Sequence, residues 1–201
     1  MATPTDIVNV ALRRIGANRI SSLENDAHKE AVVARDLYHD ARRDVLNTHH
    51  WNFAIKRAAL TVSATAPAFG WDYAFPLPTD FIRLISAHPT DNDDAQMAYK
   101  LEYQSSDDRV LLTDSSTVYI KYIWDLEDAN LFSAVFRDAL AFRLARDFAG
   151  ALSKSSAAAE LADVGYRKAL SRAKSIDGIE DWPERMAEGN WVNARHPDRT
   201  A

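Results

Sequence analysis

The sequence predicts a mainly α-helical protein with a small antiparallel β-sheet inserted between its helices, an α+β bundle of about four helices with an extended C-terminal tail. Three observations carry this prediction. Apolar residues recur at spacings of three and four over the first 50 or so residues and again after Asn130. Between Asn52 and Asp125 the texture changes to short β-type runs separated by turn residues. From Ile179 onward neither period is present. The implied division is a helical body of residues 1–51 and 126–178, an inserted β subdomain of 52–125, and a tail of 179–201.

Thr3-Pro4-Thr5-Asp6 opens the first helix, with threonine to cap the first amides and proline suited to the first turn. Val8, Ala11, Leu12 and Ile15 share one face, and Gly16 ends the helix in a left-handed conformation. After a linker, Asp26 is placed to cap a second helix. Its inward stripe is Ala27, Ala31, Ala34, Tyr38, Ala41 and Val45, widened by Val33 and Leu37. The alanines permit close approach by another helix. Arg35, His39, Asp40, Arg42 and Arg43 fall on the far side, and His49-His50-Trp51 marks the end.

Strands are predicted over Phe53–Val62, Phe81–Ala87, Tyr99–Tyr103, Val110–Leu112 and Val118–Trp124. The last has apolar residues on much of both faces. Pro76 and Pro78 fix an extended turn and cannot donate ladder bonds. Helix returns near Asn130. Val135, Ala139, Phe142 and Phe148, beside Phe136, Leu140 and Leu144, make it apolar over more than half its circumference, which predicts a central position. Ser153–Ser156 breaks it. A last helix follows to about Ser175, with Leu161, Val164, Ala169 and Leu170 inward and Gly178 as its end. The predicted core includes Leu12, Ala34, Tyr38, Val45, Phe53, Ile120, Leu140 and Leu144.

Composition narrows the function classes. The 201 residues contain no cysteine, which removes disulfides, thiolate metal sites and cysteine nucleophiles and fits synthesis in a reducing cytoplasm. The net charge of −5 lacks the basic bias of a sequence-reading DNA binder. No apolar run is long enough to span a bilayer, so no membrane partner is expected. GxxxxGK[ST], GxGxxG, GxSxG and HExxH are all absent. Adjacent His49 and His50 cannot both face one metal from a regular helix. Counted from Asp91, an EF-hand loop would place Gln96 where glycine is required. No catalytic site, cofactor or metal is therefore expected. Trp182 and Trp191 stand in an aperiodic, charged segment, and each can bury about 200 Å². That pattern predicts a tail ordered by a partner rather than by its own chain.

The order of phrases resembles the tail tubular protein A family of podoviruses and the similar adaptors of other tailed phages and gene transfer agents. The resemblance rests on Ala11-Leu12-Arg13-Arg14-Ile15-Gly16, then Ile20–Asp26, the alanine and arginine pattern of Ala31–Leu46, the tryptophan phrase Asn47–Ala54, and Tyr73–Arg83 leading into a strand. It covers nearly the whole chain, and order and spacing carry it more than any one phrase.

This resemblance implies a structural virion protein at the head–tail junction. It would form a ring of identical subunits, twelve in the family, that joins the portal above to a tail or nozzle protein below. Genomic DNA would pass through the bore without specific binding, which the net negative charge suits. A ring demands that one face of a subunit meet a different face of the next, and the mixed charge of Arg35, His39, Arg42 and Arg43 suits that contact. The family's C-terminal segment reaches the portal, which would employ Trp182, Trp191 and Arg195. Two other classes stay open on residues alone. A cell-wall hydrolase needs two acids that can lie far apart in sequence. A regulatory helix-turn-helix would need a shorter turn than Gly16–Asn25.

Overall fold

The computed structural model describes residues 2–92, 95, 97–104, 109–153 and 155–180. The described elements run α1 (Pro4–Arg14), α2 (Lys29–Asn47), β1 (Ile55–Leu60), β2 (Tyr73–Pro76), β3 (Phe81–His88), β4 (Lys100–Tyr103), β5 (Arg109–Thr113), β6 (Val118–Trp124), α3 (Ala134–Phe148) and α4 (Ser156–Glu180). The class is α+β, with helices at both ends of the described chain and strands between them. The strands form two three-stranded antiparallel sheets rather than one, ordered β1-β6-β3 and β2-β5-β4.

Local chemistry explains the ends of α1. The Thr3 hydroxyl accepts the Asp6 amide, and the Asp6 carboxylate accepts the Thr3 amide, a reciprocal capping box. At the other end Gly16 has φ +71°. This lets the Ala17 amide reach the Leu12 carbonyl at 3.0 Å and the Gly16 amide reach that of Arg13 at 3.2 Å. Asp26 does not cap α2, whose first cap position is His28. Its carboxylate accepts the Ser21 amide and hydroxyl at 2.9 Å, the His28 amide at 3.0 Å and the His28 ring. Asp26 thus closes the linker on itself. These bonds, the His28 amide's first, hold its carboxyl well below the usual range, and Asp26 in turn raises the His28 imidazole.

The helices pack around α3, which touches α1, α2 and α4. Ser133 caps it through the Phe136 amide. Its Phe136, Leu140, Leu144 and Phe148 join Leu12, Ala34, Tyr38, Val45 and Trp51 in one buried cluster. Trp51 is fully enclosed. Its indole N–H donates to the Val45 carbonyl at 3.0 Å, and its ring stands edge-on to Phe136 at 5.1 Å. Phe53, predicted as core, is half-buried and packs on Phe136 from the rim.

Strand β6 joins the two parts of the fold. Val118, Ile120 and Tyr122 point into a second cluster with Phe75 and Leu111 of the other sheet, whereas Ile123 enters the helical core. That explains the apolar residues on both faces of this strand. Pro76 is not the turn that its residue type suggests. It ends β2 opposite Val110, where no further ladder donor is needed.

Candidate assembly surfaces

The charged side of α2 divides into residues committed to their own chain and residues that face outward. Arg35 is committed to its own chain. Its guanidinium donates to the carbonyls of Leu23 at 3.1 Å, Glu24 at 2.7 Å and Asp26 at 3.1 Å, and so straps the linker onto the helix. Arg42 stands inside the subunit, not on the solvent side that a helical wheel assigns it. Its side chain is 2% exposed and reaches Asp125 at 2.6 Å and Glu127 at 3.4 Å. The residues just after β6 supply two acids there, and a buried guanidinium is tolerable only with such partners. His39 and Arg43 are exposed, with Arg43 lying on the outer oxygen of Asp125 at 2.7 Å. Two of the four predicted contact residues therefore face outward, and the other two position the surface that carries them.

Below this junction Asp80 gathers a second polar group. It accepts Lys56 at 2.7 Å and the Tyr122 hydroxyl at 3.0 Å, and Lys56 also lies 3.5 Å over the Trp124 ring. Burial first, and then the Asp80 carboxylate, push the Tyr122 hydroxyl up to about 12. The contacts fix β1, β3 and β6 to one another.

Helix α4 differs most from its sequence reading. Its buried face is Ala162, Tyr166, Ala169, Ala173 and Asp177. Leu161 and Val164, predicted inward, are 74% and 40% exposed. The bulky rings of α3 decide this. Phe142 lies against Gly165 where a Cβ would overlap it, and the Arg14 guanidinium covers the same ring at 3.5 Å. Only small residues fit that contact, so the larger aliphatics turn outward. The helix also passes through Gly178 to Glu180, beyond the predicted end, which places Ile179 in the helix rather than the tail. Trp182, Trp191 and Arg195 lie outside the described residues.

The two histidines sit where α2 meets α4. His49 and His50 stack with centroids 6.4 Å apart, and His49 lies 3.4 Å from the buried Asp177 carboxylate. That carboxylate also accepts the Asn52 amide at 3.2 Å, while the Asn52 side chain donates to the Asp177 carbonyl at 3.0 Å. Burial, ahead of the nearby Arg83, lowers the His50 imidazole. These contacts clasp the end of α2 to the last turns of α4. Among the described residues no group of three or more His, Asp or Glu side chains is placed to hold a metal ion, and no helix is long and apolar enough to cross a membrane.

The inserted sheets carry one further surface feature. The segment between β1 and β2 presents Phe69, 88% exposed, beside Tyr103 of β4, around an open groove of about 490 Å³. Phe69 did not stand out in the sequence, since an aromatic in a loop shows no period, and Tyr103 was read only as the end of a strand.

No curated protein matches the chain. A family model described as Tail tubular protein matches residues 5–176, from the first turn of α1 almost to the end of α4. The chain belongs to that family, and is a structural protein of a bacteriophage tail.

Proposed function

We propose that this protein is the head-to-tail adaptor, a ring that joins the portal to the tail and forms part of the DNA conduit, with no catalytic role. The observation that supports it most is the family match across both helical ends and the inserted sheets, residues 5–176. The ring is a closed set of identical subunits, twelve on the family resemblance, at the head–tail junction of the virion. The protein is made in the host cytoplasm. In this reading the helical body of 1–51 and 126–178 builds the ring, with His39 and Arg43 at the subunit contact and Arg35 and Arg42 holding that surface in shape. The C-terminal residues, with Trp182, Trp191 and Arg195, engage the portal. A tail or nozzle protein binds below, and DNA passes without specific binding, which the net charge of −5 favours.

A phage genome with this reading frame interrupted tests the role. It is expected to yield DNA-packaged heads without attached tails, with infectivity restored by supplying the protein in trans. Complete tailed particles from that genome would refute an adaptor role. Complete tailed particles trapped in host cells that fail to lyse would instead point to a cell-wall hydrolase.

A further inference from the structure

The outward faces of α2 and α4 carry complementary patterns at the same spacing. On α2, Val32 is 43% exposed, and Asp36 and Asp40 follow at steps of four residues on the same face, both exposed. On α4, Val164 is followed at the same steps by Lys168 and Arg172, also exposed, with Leu161 one turn before. Each stripe therefore reads apolar, charged, charged, with acids on one helix and bases on the other. None of the four charged residues has an ion-pair partner among the described residues. Both stripes turn away from α3, because Ala34, Tyr38 and Ala41 on α2 and Ala162, Tyr166 and Ala169 on α4 face the core.

The helices also run the same way. His49 and Asn52, just past the end of α2, meet Asp177 near the end of α4, and Lys29 and Glu30 at the start of α2 line one groove with Leu152 and Ser153, just before α4. A rotation about an axis roughly along these helices preserves that direction. It brings α4 of one copy alongside α2 of the next with apolar ends together and bases over acids. Two different faces meeting in this way propagate around a ring, whereas a face meeting itself stops at a dimer.

We propose that the α4 stripe of Leu161, Val164, Lys168 and Arg172 docks on the α2 stripe of Val32, Asp36 and Asp40 of a second copy of this chain, and that this is the contact that closes the ring. The proposal rests on the adaptor-ring reading above and specifies its subunit interface. The valines and Leu161 give the dry centre. The charges set register and exclude the reversed orientation more than they add affinity. Asp36 and Asp40 thereby join the exposed His39 and Arg43 on the receiving face.

The absence of native cysteine permits a direct test. Full-length protein carrying Val32→Cys together with Val164→Cys or Leu161→Cys is oxidised on the portal. At least one pairing is expected to give a covalent ladder beyond dimer. Each single variant is expected to stay monomeric, and a mixture of two single variants to stop at dimer. In parallel, Lys168→Glu with Arg172→Glu should lower ring yield at least tenfold, and adding Asp36→Lys with Asp40→Lys should restore it. Wild-type rings on the portal, with no ladder from either pairing and no loss on charge reversal, would overturn this interface while leaving the ring intact. Dimers from Val164→Cys alone would overturn it in favour of a two-fold contact. Wild-type protein that forms no ring on the portal would overturn the adaptor reading itself.

Discussion

Arg42 and Arg43 are neighbours in sequence with the same charge and a shared partner, yet their energetic roles differ. Arg42 is enclosed, and its Nε has no hydrogen-bond partner among the described residues, so its charge depends on Asp125 and Glu127. Tyr38 lies beside it on α2 with its hydroxyl pushed up to about 12 by burial. Truncating Arg42 opens a cavity and strips the buried side of Asp125. Arg42→Ala is expected to cost about 3 kcal/mol of unfolding free energy, and Arg43→Ala, on the exposed oxygen of the same acid, under about 1 kcal/mol. Urea denaturation of the two variants checks this. Equal losses would mean that Arg42 is not the buried member of the pair. A helical wheel places both residues on the polar side. It could not show that the chain after β6 returns to cover one of them.

At the scale of elements, legibility in the sequence followed the range of the interactions concerned. The ends of α1 were legible because Thr3, Asp6 and Gly16 act within one turn. The inward stripe of α2 was legible from Ala31 to Val45 because alanine and tyrosine at helical spacing leave no competing face, but Ala27, read as its first member, lies before the helix and is exposed. Helix α4 has two stripes, one aliphatic and one small. The choice between them depends on Phe142, which is remote in sequence, so hydrophobicity alone misplaced Leu161 and Val164, while Ala169 and Leu170, also read as inward, do face the core. Pro76 hid β2 for a related reason, since a proline is harmless at the last paired residue of a strand. The split into two sheets depends on pairings such as Ile55 with Ile123 and Tyr73 with Thr113, and alternation within a strand carries no information on its partner. The contact surfaces were the least legible part, because Arg35 and Arg42 look free until the linker and the β6–α3 segment fold over them.

The glycines of α4 test this account of the element. Gly165→Ala should overpack Phe142, costing about 1–3 kcal/mol, against which alanine's helix propensity returns about 1 kcal/mol. The expected net effect is a loss on the order of 1 kcal/mol in thermal unfolding. Gly178 has open space around it and sits within the helix. Gly178→Ala should therefore raise stability by about 0.5 kcal/mol. A loss at Gly178 would indicate that the helix ends there, as the sequence pattern suggested.

For the whole molecule, the fold places a buried helical core and a second, inter-sheet core in series, joined by β6. That leaves two charged helix faces on the body and the aromatic pair Phe69 and Tyr103 on the inserted sheets. A tail structural protein needs several distinct protein contacts at once, and these surfaces are separate enough to serve them. In the proposed assembly the subunits close a ring beneath the portal. Images of the purified chain mixed with the portal protein of the same phage test it most directly. The expected result is a second ring of density stacked coaxially on the portal, at a fixed subunit ratio, with an open bore. Portal particles unchanged in length, with this chain remaining free as monomers, would contradict it.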